Sequence, residues 1–525
     1  MTLAQVGWVL RTARAHAADP DLQVASRFAQ GGAGVSRVNP SQVTRWERGT
    51  TPPSFEVVRR YETLCGVTPG RLVAAVDLVH RDDQPLGARP RLRRPSTADP
   101  VGEAEPLLER ALAHEPMTGA EWDELSLLVG RLDQALMPPS FWRTLLERGL
   151  EEMDVSIGVP YLQRSEAMAR LCGHPRARPA ALDLVRDVLT DPAAQVYSEA
   201  ATLVQYFEHP GAGAMLAESI RRPVSANALR ASLLAVAGLL RARRLGPEQA
   251  VSVVQVALAH CRDPGLPYRV RRSAADVLRA LSDQARRRIA TQLSHRPEDL
   301  AVASIVAGGG PVPRETRTAT RGRIVERLTW SLGVGVDDDE QLVDLLDGLS
   351  TQTNDDLRSH ALHLLMVLPF GRTVGHAYVG ELETAVVAGD ATRVHEALGV
   401  LVCLAPADDL RLLLDLAVRD AAVVGDRDQA AVEACWAVGN ATFAPLDVGL
   451  VTVRVRTAVD AALRGDRPAP PALLSGWAYV LGRLGTLGDA GTGDRPDGPD
   501  SAAWDRARGW WQALPVHVAA AGREI

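Results

Sequence analysis

Apolar side chains return at three- and four-residue intervals along nearly all of this chain, the period of helices that bury one face. The first eighty residues divide into five such stretches. Leu3, Val6, Val9 and Leu10 mark the first. Asp21 is placed to cap a second through Gln30, with Leu22, Ala25, Phe28 and Ala29 apolar, and Gly31-Gly32-Ala33-Gly34 stops it. Asn39-Pro40-Ser41 opens a third that runs to Arg48 and stops at Gly49, with proline in the first turn, where its missing N–H is no loss. Ser54 caps a fourth carrying Val57, Val58, Tyr61 and Leu64, closed by Gly66, and Thr68-Pro69 opens a fifth from Gly70 to about His80. The pattern predicts a compact five-helix domain over residues 1–81.

Residues 82–106 lose the period. Five prolines spaced among Arg, Gly and Ser predict a semi-extended linker. From 107 to 484 helix follows helix, and one short theme recurs: an apolar or Arg start, an alanine, then a leucine-rich run. It stands at Leu229–Leu234, Val270–Leu278 and Leu357–Leu365, with weaker echoes at Val394–Leu398 and Val432–Trp436. With Ala231, Ala274, Ala361, Ala397 and Ala434 as markers the separations are 43, 87, 36 and 37 residues, and 87 reads as two units. A helix pair of that length cannot bury its own apolar stripe, so neighbours stack, and a small alanine at each crossing lets backbones approach. This stretch resembles HEAT or armadillo-like α-solenoids; a non-repetitive helical bundle is the other arrangement the pattern allows. Residues 485–500 read as a flexible Gly/Asp-rich loop, and 501–525 as a helix bearing Trp504, Trp510 and Trp511 that caps the last repeat. The expected fold is all-α.

Composition narrows the chemistry. All 58 basic residues are arginine. Without lysine there is no phosphate-loop lysine, no kinase lysine and no Schiff base. The aromatic share of 4% argues against a large β-sandwich or barrel. The five cysteines, Cys65, Cys172, Cys261, Cys403 and Cys435, show no C-x-x-C spacing, so neither a zinc site nor a disulfide framework is expected. No signal peptide or membrane span is read, and a cytoplasmic location is expected. Charge is uneven: residues 1–94 hold fourteen Arg against eight Asp and Glu, including Arg89, Arg91, Arg93 and Arg94, while the remainder is acidic. A basic head on an acidic body points to a polyanion meeting the head alone.

The most specific string is Val38-Asn39-Pro40-Ser41-Gln42-Val43-Thr44-Arg45-Trp46-Glu47-Arg48-Gly49. Val43 and Trp46 are three apart and face inward, which puts Ser41, Thr44 and Arg45 on the wet side and Gln42 at the edge. Such a helix fits the major groove, where Arg45 can pair with guanine. The string, with Thr50-Thr51-Pro52-Pro53 and the following helix, resembles Cro/CI-type (XRE family) helix-turn-helix domains. The resemblance implies base contacts near Ser41, Gln42 and Arg45, a backbone contact near Arg48, and a capping and phosphate role for Asn39. Glu47 is expected to hold the fold. Two departures stand out: Asp21, and the Gly-rich segment Gln30–Val38, which carries Arg37 where the family has a short turn.

Catalytic patterns are poor. His360 and His363 lack an H-E-x-x-H frame, Asp337-Asp338-Asp339-Glu340 lacks calcium-loop spacing, Gly308-Gly309-Gly310 is a breaker, and no G-x-S-x-G is present. The chain therefore reads as a sequence-specific DNA-binding transcriptional regulator and not an enzyme, with no cofactor or metal. Double-stranded DNA and a second copy in a homodimer are the expected partners, with a protein, peptide or small-molecule signal at the repeat body. The alternative is an interaction scaffold whose helix-turn-helix does not bind DNA, motivated by the expanded loop and the acidic body.

Overall fold

The computed structural model describes residues 2–32, 34–83, 92, 99–132, 138–310, 312–332, 339–351, 355–421, 427–441, 447–488 and 499–524. Arg89, Arg91, Arg93, Arg94, Asp337, Asp338 and most of the expected 485–500 loop lie outside these. Among the described residues the regular structure is all helical, apart from one isolated bridge between Gly32 and Val35.

The head comprises α1 (Thr2–Ala15), α2 (Ala25–Phe28), α3 (Pro40–Glu47), α4 (Phe55–Cys65) and α5 (Arg71–Asp83). The five expected stretches are there, with one correction. The second is a single turn that starts after Val24 without a side-chain cap, so Asp21 does not cap it. The N–H groups of Leu22, Gln23 and Val24 instead bond carbonyls three residues back, and Arg14 draws off the Gln23 carbonyl. The start of α5 is fixed by Glu62, whose buried carboxylate accepts the N–H groups of Gly70, Leu72 and Val73 at 3.0, 2.8 and 3.1 Å.

The body begins earlier than its periodicity suggests. α6 (Pro100–Leu112) takes residues 100–106 out of the expected linker, because Asp99 caps it by accepting Gly102 N–H at 2.9 Å. There follow α7 (Gly119–Val129), α8 (Pro139–Val155), α9 (Gly158–Gly173), α10 (Arg178–Thr190), α11 (Ser198–Thr202), α12 (Ala212–Arg221), α13 (Ala226–Arg241), α14 (Pro247–Arg262), α15 (Tyr268–Leu278), α16 (Asp283–Leu293) and α17 (Leu300–Ala307). The second half holds α18 (Arg314–Leu332), α19 (Glu340–Thr351), α20 (Asp355–Val367), α21 (Gly371–Ala388), α22 (Ala391–Leu404), α23 (Arg411–Ala417), α24 (Arg427–Asn440), α25 (Val448–Leu463) and α26 (Pro471–Arg483). The tail is two helices, not one: α27 (Pro499–Gln512) and α28 (Val516–Ala521). α27 packs on α26 with Trp504 buried, and α28 reaches α8.

Alternate helices form two rows. α11, α13, α15 and α17 pack one on the next, and so do α20, α22, α24 and α26; α12, α14, α16, α21, α23 and α25 flank their partners. The marker alanines Ala231, Ala274, Ala361, Ala397 and Ala434 all sit buried on these row helices. Four helices, α16 to α19, occupy the 87 residues between Ala274 and Ala361.

The rows face each other. Arg269 and Arg272 on α15 pair with Glu433 on α24 at 2.6 Å and Glu396 on α22 at 2.7 Å. Tyr161 on α9 meets His363 on α20 with ring centroids 5.4 Å apart. The head is wedged at this junction, since α5 packs against both α9 and α20 and the head's apolar core is continuous with the second row. Arg71 donates to the last carbonyls of α20, Met366 and Val367, at 2.9 Å each. Arg81 binds Glu166 at 2.5 Å, while the fully buried Arg170 reaches Asp123 at 2.6 Å, Glu166 at 3.2 Å and Asp77 of α5 at 3.4 Å. Burial works to lower Arg170, but these three carboxylates outweigh it and raise it.

Replacing Arg170 by Ala removes the buried cation that Asp77, Asp123 and Glu166 share. The expected cost is about 3–5 kcal/mol, read by denaturant unfolding, with faster hydrogen exchange along α5. A second outcome concerns pH. Burial, assisted by the charge of His360, pushes His363 down to about 4, against about 6.5 when unfolded. The unfolded chain therefore binds a proton that the folded one refuses, so this contribution is complete above pH 6.5 and lost as pH falls toward 4. Melting curves of His363→Gln should fall less steeply than wild type across that window.

Candidate nucleic-acid interface

α3 is built for one orientation. Asn39 accepts Ser41 N–H at 2.9 Å, and Gln42 folds back to accept Asn39 N–H at 3.1 Å, a capping box that fixes the first turn. Val43, Trp46 and Glu47 are buried. Glu47 receives Arg14 Nε and Nη2 at 2.6 and 2.8 Å and the Tyr61 hydroxyl at 2.9 Å, so one carboxylate joins α1, α3 and α4. The hydrogen bonds that Arg14 donates to Glu47 outweigh burial and raise Arg14. Burial and the Glu47 charge both raise Tyr61, and burial pushes the nearby Cys65 up to about 12.

Backbone contact tightens the same joint. A β-carbon on Gly7 would lie 2.6 Å from the Trp46 and Glu47 carbonyl oxygens, and one on Gly49 2.4 Å from the Leu3 oxygen. Gly49 also stands at φ +67°, which a side chain disfavours. α1 and the end of α3 therefore touch backbone to backbone.

The long segment before α3 is also tied down. Arg60, nearly buried on α4, donates to Phe28 O at 2.8 Å, to Ala29 O at 3.2 Å and to Ser36 O, with its guanidinium 5.4 Å from the Phe28 ring centroid. Val38 N–H returns to Ala29 O at 2.9 Å. The segment leaves α2 and comes back to start α3 from a fixed point.

Of the seven residues singled out in the sequence, Arg37, Asn39, Ser41, Gln42, Arg45 and Arg48 are exposed, and Thr44 is half-buried with its hydroxyl on Pro40 O at 3.3 Å. Six lie on α3 and its caps, and Arg37 lies on the segment leading to them. The guanidinium groups of Arg37, Arg45 and Arg48 have no ion-pair or hydrogen-bond partner among the described residues. Arg27 on α2, which packs against α3, is a fourth such cation. It was legible as an arginine on the wet side of Phe28. Arg60 was signalled too, since it falls three after Val57 and four before Leu64, on the apolar stripe.

The weaker candidates resolve as structure. Asp339 accepts Trp8 Nε1 at 2.8 Å and caps α19 through Leu342 N–H at 3.2 Å, while His360 Nε2 lies 3.3 Å from Gln5 Nε2. Gly308, at φ +97°, ends α17. Among the described residues no three His, Cys, Asp or Glu side chains gather as metal ligands, and no helix is long and apolar enough to cross a membrane. No protein-family model, curated protein or solved structure matches the chain.

Glu47→Ala strands the buried Arg14 guanidinium. Loss of about 3–5 kcal/mol is expected, with hydrogen exchange of α3 amides rising more than that of α9, whereas E47Q, which keeps an acceptor, should lose less.

Proposed function

We propose that the chain is a sequence-specific DNA-binding transcriptional regulator of the Cro/CI type, with a HEAT-like body that senses a partner or ligand. One observation carries this reading. α3 buries Val43 and Trp46 while Arg45 and Arg48 stand exposed at its end with no partner among the described residues, and Arg27 and Arg37 are exposed on the helix and segment that precede it. The buried and half-buried arginines of the head and its junction, Arg14, Arg60, Arg71, Arg81 and Arg170, are bonded within the protein, and cations without a partner among the described residues on a rigid polar face are suited to phosphates and base edges.

On this reading Arg45 pairs with guanine in the major groove, Ser41 reads a neighbouring base or the sugar-phosphate, and Arg48, Arg37 and Arg27 hold the backbone. Gln42 already spends its Oε1 on the cap, which leaves its amide N–H groups to donate to an acceptor on a base. One such helix covers too little sequence, so a homodimer on a two-fold operator follows. The scaffold reading draws on the length of the Gln30–Val38 segment, though Arg60 ties that segment back onto α4.

Selection of duplexes from a random pool by the full-length chain tests the function. Enrichment of a palindrome is expected; no enriched sequence, together with no salt-dependent duplex binding, would sink the proposal. Within the enriched operator, Arg45→Ala should cost about 1–3 kcal/mol and relax one base position. Arg48→Ala should instead weaken all sequences alike and reduce the salt slope by about one. Titrations by fluorescence anisotropy at several salt concentrations separate the two.

A further inference from the structure

In the second half of the body, α18, α19, α21 and α22 surround a cavity of about 40 Å³. That is room for roughly three water molecules, the bulk of one small charged group. Arg317, Thr320, Tyr378, Glu381, Arg393 and Glu396 contribute to its wall. Its carboxylates are already answered. Glu381 is held by Arg323 through two bonds of 2.6 Å, by the Thr320 hydroxyl at 3.0 Å and by Arg393 at 3.3 Å. Burial works to raise Glu381, but these donors outweigh it and keep the carboxyl below its ordinary range. Glu396 is held by Arg272 at 2.7 Å and Arg358 at 2.5 Å.

Each acid is thus matched by two guanidinium groups, and Arg317 is left over. It is half-buried, its Nε is sealed from solvent, and that Nε has no hydrogen-bond partner among the described residues. No carboxylate lies within ion-pair distance of it among those residues. Its guanidinium lines the cavity and offers donors to an acceptor that enters it. Among the described residues no carboxylate answers it, and the space beside it suits a small oxyanion, for which arginine offers a planar fork of donors.

We propose that this cavity binds a small oxyanion, a phosphate or carboxylate group, with Arg317 as its chief ligand and Arg393 beside it. The site would supply the body with a ligand class, yet it stands apart from the DNA reading. Failure of the duplex selection leaves it untouched, and its own failure leaves that reading untouched.

The test uses the full-length chain, first dialysed into buffer free of oxyanions, then titrated with inorganic phosphate or with acetate by calorimetry. Saturable binding of one of them is expected, weakened about tenfold or more in Arg317→Gln, which loses charge-assisted bonds. Phosphate alone or acetate alone identifies the source of the oxyanion. In oxyanion-free buffer, R317Q should melt no lower than wild type. The proposal is overturned by no saturable binding of either anion, by equal binding in R317Q, or by a lower melting temperature of R317Q without anion, which would mean that Arg317 already has a partner.

Discussion

Glu47 closes α3, and its carboxylate takes three hydrogen bonds from outside that helix, two from Arg14 on α1 and one from Tyr61 on α4. A buried ion pair of this kind is a weak source of net stability, because desolvation offsets most of its attraction. Its effect is directional. Rotation of α3 about its axis would withdraw the carboxylate from both partners and leave two buried groups unsatisfied, at a cost far above the fluctuations of a surface helix. The Gly7 and Gly49 contacts block translation in the same way, since backbone meets backbone with no side chain to give. The polar face carrying Ser41 and Arg45 is therefore held outward by what lies beneath it.

The head in turn has no independent seat. α5 is shared: its inner face completes the head's core, while Arg71, Asp77 and Arg81 engage α20 and α9 of the body. Helices that are far apart in the sequence, α9 and α20, are bridged by the same element. An open stack in which each helix touches only its neighbours would not create this junction. Arg269 and Arg272 pair across the two rows, and the head fills the corner where they meet.

How much of this the sequence disclosed follows from the range of the forces involved. Helices are local, and so the capped α3, the Gly49 and Gly66 stops and the alanine-marked row helices could be read directly. Val43 and Trp46 face inward as the spacing requires, and Glu47 pairs within the head as expected. Asp21 misled because a cap needs only the right residue type in sequence, whereas the actual turn was decided by Arg14 claiming the Gln23 carbonyl. Long-range ion pairs left no local trace. Nothing near Arg272 names Glu396 more than a hundred residues on, and the return of the second row onto the first was invisible for that reason. Arg317, without a partner among the described residues, was equally hidden, because a lone arginine in a helix reads as solvated until its neighbours are known.

A ligand in the body can influence α3 only through elements that both touch, and by no more than the difference in its affinity for two arrangements of them. α20 is the element that meets this condition. Its first turns place Arg358 on Glu396 at the cavity wall, its middle sets His360 against Gln5 of α1, and its last carbonyls receive Arg71 of α5. Contact alone is not coupling. It does restrict the form a response can take, because a head clamped at α1 and α5 moves with α20 or not at all. In a two-fold assembly such clamping makes the separation of the two α3 helices a property of the bodies. On the proposed DNA-binding reading, a signal that shifts α20 would change operator spacing while leaving the face of α3 as it is.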